Sequence, residues 1–163
     1  MKTKYIILGG LLAVISAILQ CIPAFLSEAF IFLTVLSTIP IYIIAKKQPT
    51  LGILSYIIAF ILISFISPHE NIMFIFTNGI LGLSLGICNY FTDKKLLICS
   101  ISAILLTFSI CIVNFIIGIN IIGFLFNLSL LPIVLIFLGS SVYSFIFLVI
   151  CRFFYKRINI SNF

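Results

Sequence analysis

The sequence predicts an all-α, polytopic integral membrane protein with about six spanning helices and both termini in the cytoplasm. Three observations lead there. Of the 163 residues, 64% are hydrophobic and only 7% are charged, whereas a soluble domain carries roughly 25% charged residues. The apolar residues fall into runs of spanning length, since about 20 residues at about 1.5 Å of rise cross a hydrocarbon core of about 30 Å. Runs such as YIILGGLLAVISAIL and LLICSISAILLTFSICIVNFIIGI show none of the apolar–polar alternation that a β-barrel needs. Helices therefore have to satisfy the backbone polar groups that lipid cannot. The whole chain, residues 1–163, forms a single transmembrane helical domain.

Charged and turn-forming residues divide the chain into elements. Helix 1 is expected at residues 5–22, ended by Pro23. No charge occurs between Tyr5 and Ser27, which is longer than the apolar region of about 7–15 residues in a cleaved signal, so this helix is read as retained. Helix 2 is expected at residues 29–45, before KKQPT, and helix 3 at residues 51–67, ended by PHEN. Helix 4 follows at residues 72–91 and stops at TDKK. The long uncharged stretch after Lys95 is cut by weaker signals, Gly118, Asn120, Gly123, Asn127, Ser129 and Pro132. They place helix 5 at residues 96–119 and helix 6 at residues 131–154, with NIIGFLFNLSL as an apolar connection.

With these elements, every Lys and Arg falls on one side of the bundle. Lys2, Lys4, Lys46, Lys47, Lys94, Lys95, Arg152, Lys156 and Arg157 share that side, while Glu28, His69 and Glu70 lie on the other. Basic loops are retained in the cytoplasm during insertion, so the termini are expected inside. A seventh helix would carry the last basic cluster outside, which favours six. The net charge of +6 is explained by orientation and not by nucleic acid, because the basic residues sit at helix ends instead of lining one face.

Small residues mark close helix contacts. Gly9, Ala13 and Ala17 line one face of helix 1 as a shallow groove, where another backbone can approach and gain dispersion contacts. That visitor is either a neighbouring helix of the same chain or a partner protein. Gly82 and Gly86 form a GxxxG pair in helix 4 and are read as helix-packing positions.

Amides inside apolar spans are the pointers to a ligand, because an unpartnered buried amide costs several kcal/mol. Asn78 and Asn114 approach the outer surface from helices 4 and 5, and Asn120 and Asn127 lie in the outer connection. Together with Glu28 of the first outer loop they are the candidate ligand-binding residues; the alternative for each asparagine is an amide bond between helices. His69, Glu70 and Glu28 are read as a solvated loop face in preference to a metal cluster, so no metal or other cofactor is expected. The five cysteines, Cys21, Cys88, Cys99, Cys111 and Cys151, have no CxxC spacing and read as small packing residues. Nothing resembles HExxH, a GxSxG elbow or a phosphate-binding loop, so no enzyme is predicted.

GGLLAVISAILQCIP in helix 1, LSTIPIYIIAKKQPTLG across helices 2 and 3, and NGILGLSLG in helix 4 resemble the substrate-binding S components of energy-coupling factor transporters, in particular the YybS-like branch. The resemblance covers roughly the first 90 residues. It implies a helix 1 contact with a coupling membrane subunit through Gly9, Ala13 and Ala17, and a substrate pocket near the outer face that takes in Asn78 and Asn114. The function expected from it is uptake of a small vitamin-like nutrient, powered by separate ATPase subunits, since this chain has no nucleotide site. A membrane scaffold or assembly protein without a ligand is the competing expectation. The abundance of Ile, Phe, Asn and Lys points to an AT-rich bacterial genome, and hence to a bacterial cell membrane.

Overall fold

The computed structural model describes residues 3–114 and 130–157, and all regular structure in them is helical. Six helices are long and apolar enough to cross a membrane, as a multi-pass membrane protein requires: α1 (Thr3–Phe25), α2 (Ala29–Lys47), α3 (Pro49–Ile66), α4 (Pro68–Phe91), α5 (Lys95–Ile112) and α6, whose helical residues run Leu130–Arg157. The expected connection at residues 120–130 and the last residues of the expected helix 5 lie outside the described residues, apart from Leu130.

The bundle is inverted relative to a soluble protein. On α1 the large residues Ile7, Leu11, Val14 and Ile18 are exposed, while Gly9, Ala13, Ser16, Ala17 and Gln20 are buried. On α3, Ile53, Leu54, Ile57 and Ile61 face outward and Gly52, Ser55 and Ala59 face inward. Where the surrounding solvent is hydrocarbon, bulky apolar groups gain nothing by hiding. Helices then associate through small residues that allow close approach and through hydrogen bonds.

At the centre stands the second half of α2, in which every residue from Thr38 to Ala45 is buried. Its first half belongs to a 3-10 helix that runs Glu28–Ser37, where the rise is about 2 Å per residue. That winding lets a 19-residue helix cover more depth than α-geometry would. Helix α4 packs along α2 with its glycines against the α2 backbone: an added Cβ at Gly82 would lie 2.5 Å from the Thr38 carbonyl oxygen, and one at Gly86 would lie 2.6 Å from Ala45 Cβ. The α2–α3 hairpin closes equally tightly, since a Cβ at Gly52 would meet Ala45 Cα at 2.5 Å.

Of the boundaries that differ from the sequence expectation, two have a clear local cause. Helix α1 runs past Pro23 to Phe25, and the Leu26 amide still donates to the Ile22 carbonyl at 3.0 Å; a proline near the end of a helix deletes one donor without stopping the last turn. PHEN is not a loop but the start of α4. Ser67 caps it by accepting from the Glu70 amide at 3.4 Å, with Pro68 in the first turn, where a missing N–H costs nothing.

Candidate functional site

One connected set of polar side chains inside the bundle lies toward the end that carries Glu70 and His69. Gln20, fully buried in the last third of α1, is their hub. Its Oε1 accepts from Ser37 Oγ of α2 at 3.0 Å and from Asn78 Nδ2 of α4 at 3.1 Å. Its Nε2 donates to Glu70 Oε2 at 3.0 Å. Asn78, 5% exposed, donates in addition to the Thr34 carbonyl at 3.1 Å, and its Oδ1 accepts from the Tyr143 hydroxyl of α6 at 3.4 Å. Ser16 extends the set by donating to the Ser37 carbonyl at 2.8 Å. Four helices, α1, α2, α4 and α6, thus meet through amides, hydroxyls and one carboxylate.

Local winding presents Asn78 to this cluster. Residues Phe74–Gly79 of α4 form a π-helical segment, a wider turn in which the regular carbonyl ladder is shifted. The Ile75 carbonyl accepts from Tyr56 of α3 at 3.0 Å, and Thr77 Oγ1 donates to the Met73 carbonyl. Gly79 makes room for this arrangement: a Cβ there would lie 2.6 Å from the Tyr56 ring and 2.8 Å from the Phe74 carbonyl oxygen. Asn71, about two turns before Asn78, donates to Ser64 at 2.6 Å.

Of the two candidate ligand residues whose side chains are described, Asn78 enters the cluster, and it does so with both its donors and its acceptor engaged by the chain. Asn114 is not among its partners; the Asn114 Oδ1 is buried without a hydrogen bond to the described residues. Asn120 and Asn127 lie outside the described residues, as does the side chain of Glu28. Glu70, read from the sequence as part of a solvated loop face, instead turns to Gln20, while His69 is exposed. Among the described residues no group of three His, Cys, Asp or Glu is placed to hold a metal ion, and all five cysteines are free thiols.

The groove on α1 is filled by the chain itself. Ala13 and Ala17 belong to a buried cluster with Ile41, Ala59, Ile63 and Phe74, and Gly9 lies against α3, where Ser55 Oγ donates to its carbonyl at 3.0 Å. In this structure these three residues are therefore internal contacts, not a face open to a partner. Gly82 and Gly86 pack against α2, as described above.

Gln20 is the central residue that the sequence reading did not single out. The signal was present, since it is the only amide in the apolar run of α1. It stands near the same end of the bundle as Asn78. A second polar set occupies the basic end. There Asn89 donates to the Tyr42 hydroxyl, and Arg152 donates to Asn89 Oδ1 at 2.8 Å and to the Asp93 carbonyl at 3.2 Å. A separate apolar crevice of about 400 Å³ lies between α5 and α6, lined among the described residues by Ile104, Phe108, Cys111, Ile133, Val134 and Phe137 together with the polar Thr107.

No family model, no curated protein and no solved structure matches this chain.

Proposed function

We propose that this protein is the substrate-binding subunit of a bacterial uptake system, seated in the cell membrane with both termini inside. It captures a small, mostly neutral nutrient at the amide cluster around Gln20 and Asn78. Separate coupling and ATPase subunits would power the step. The observation that carries the reading is the gathering of amide, hydroxyl and carboxylate groups from four helices into one connected cluster toward one end of the bundle. Groups of this kind are expensive in hydrocarbon and are kept where a polar solute has to be recognised. Because α2 and α3 fill the small-residue stripe of α1, a coupling subunit would have to meet another face.

The orientation is tested by cysteines introduced one at a time in a background without native cysteines. His69→Cys and Ser27→Cys are expected to react with an impermeant thiol reagent added to intact cells, because their side of the bundle carries no Lys or Arg. Thr50→Cys and Lys94→Cys, exposed at the opposite end, are expected to react only after the cells are broken. Labelling of Thr50→Cys from outside would reverse the topology.

Binding is tested with detergent-purified protein and a panel of water-soluble vitamins, nucleobases and neutral amino acids, reading the melting temperature. The expected result is stabilisation by one chemical class, reduced in Tyr143→Phe, which loses only one long hydrogen bond and should fold. ATPase and coupling subunits should also be recovered from native membranes.

A second reading rests on a specific observation: every hydrogen-bonding group of Asn78 already has a partner within the chain. In that reading the cluster locks four helices together and the protein is a membrane scaffold without a ligand. A panel without effect, combined with recovery of a partner other than a transport ATPase, would establish it.

A further inference from the structure

We propose that the basic end of the bundle holds a phosphate-bearing anion, supplied by an anionic phospholipid headgroup, between Lys46 of α2 and Arg152 and Lys156 of α6. The positive groups are brought together by the fold. Lys46 Nζ sits 4.3 Å from the centre of the Tyr155 ring and 5.9 Å from that of Tyr42. Arg152 reaches the same tyrosine through Asn89, whose amide nitrogen donates to the Tyr42 hydroxyl while its oxygen accepts from the guanidinium. Lys46 lies within electrostatic range of both Arg152 and Lys156, with Asp93 the one acidic group among the charges that act on it.

Lys46 and Arg152 are held around Tyr42, and Lys156 acts on Lys46 from nearby, so the three cations repel one another. Among the described residues the hydrogen bonds made by Arg152 go to two neutral oxygens, the Asn89 amide and the Asp93 backbone carbonyl. The Arg152 Nε–H is buried with no acceptor among the described residues. A phosphate seated between Arg152 and Lys46 would offset the repulsion and, with the guanidinium turned toward it, give that N–H an acceptor. Arginine is suited to it, because its planar fork matches phosphate geometry, while lysine adds a point charge.

The surroundings select the lipid source. Exposed aromatic rings stand at the same end on two helices, Tyr90 and Phe91 at the end of α4 and Phe153 and Phe154 beside Arg152. Of these, Tyr90 has the amphipathic ring that settles at the level of the headgroups. Basic pockets between membrane helices on the positively charged side bind anionic headgroups through the same chemistry.

The test uses the full chain in neutral detergent, titrated with dioctanoyl phosphatidylglycerol, with dioctanoyl phosphatidylcholine as the uncharged comparison and inorganic phosphate as the soluble source. The melting temperature is the readout. Phosphatidylglycerol is expected to stabilise the protein and phosphatidylcholine to do so much less. Each lysine near an anionic headgroup is worth a factor of roughly five in affinity, so K46Q/K156Q should raise the half-saturating concentration about 25-fold. K94Q/K95Q, which removes two exposed charges at the same end, should change it little. If K46Q/K156Q does not fold, Lys156→Gln alone, an exposed position, carries the test with an expected change of roughly fivefold. Equal stabilisation by inorganic phosphate would keep the anion site and reassign its occupant to a soluble phosphate. Equal effects of the two lipids without any effect of phosphate, or an equal loss in K94Q/K95Q, would overturn the proposal.

Discussion

Gly82→Leu is expected to leave no recoverable folded protein, while Gly10→Leu, one helix away, should purify like the wild type. The difference lies in what a side chain would meet. At Gly82 even a Cβ would stand 2.5 Å from the Thr38 carbonyl oxygen, 3.3 Å from its carbon and 3.2 Å from Ile41 Cβ. Two of these atoms are backbone, which cannot swing aside as a side chain can. The backbone belongs to the part of α2 that is buried on every face, so moving it would disturb α1 and α3 as well. Overpacking a well-filled core costs typically about 1–3 kcal/mol. Gly82→Ala should fall near the top of that range. Leucine adds three more carbons to a contact already too short, and the expected cost is comparable with the whole stability of a typical domain, about 5–15 kcal/mol.

Gly10, by contrast, has no atom within 4 Å of the Cβ position. Leucine there adds an apolar group to an apolar exterior. The measurement is size-exclusion recovery in detergent followed by thermal melting of Gly10→Leu, Gly82→Ala and Gly82→Leu side by side. Wild-type recovery and melting of Gly82→Leu would mean that α2 and α4 are farther apart than this packing requires.

The number of helices was legible because lipid leaves few alternatives: each crossing needs about 20 apolar residues, and the interruptions KKQPT, PHEN and TDKK are polar enough to stand out. The GxxxG pair was legible for the same reason, since glycine is unfavourable in a helix unless close approach compensates. The start of α4 was written in the sequence too, as Ser67, Pro68 and Glu70 form the S-x-x-E capping pattern with proline in the first turn. The polar run PHEN hid it, because proline and asparagine also signal turns.

Other features depend on partners that a single helix does not name. Gly9, Ala13 and Ala17 state that something comes close to α1, but side-chain size does not tell what comes. The structure puts Ser55, Ile41 and Ala59 of the same chain there. The 3-10 winding of Glu28–Ser37 has no local signature, since its residues would form an α-helix equally well. Its geometry is settled by packing against α1, where Ser37 binds Gln20 and the Ser37 carbonyl receives Ser16. The site was half legible. Asn78 drew attention as an amide in an apolar run, and the same criterion applied to α1 points to Gln20. That the two meet is a fact of tertiary structure, joining positions 58 residues apart.

Gln20→Leu is therefore expected to destabilise the protein more than Asn78→Leu, and the two changes should not add. Leucine at position 20 removes the acceptor of Ser37 and of one Asn78 donor, and it leaves the Glu70 carboxylate without its amide partner. Leucine at position 78 removes the bonds to Gln20, Thr34 and Tyr143, but Gln20 keeps Ser37 and Glu70. Hydrogen bonds between membrane helices are worth about 0.6–1.7 kcal/mol each, and a buried group left without a partner costs about 1–3 kcal/mol. On that scale Gln20→Leu should cost roughly 2–4 kcal/mol and Asn78→Leu roughly 1–3 kcal/mol. The bond between the two amides is lost in either single variant, so the double variant should fall short of the sum by about 0.6–1.7 kcal/mol. Reversible unfolding of the four proteins in mixed detergent gives the cycle. Strict additivity would mean that Gln20 and Asn78 do not touch in the folded protein. Asn78→Leu with wild-type stability but no response to the stabilising compound of the solute panel would show that the amide serves a ligand, and that its bonds to Gln20, Thr34 and Tyr143 are exchanged when the ligand enters.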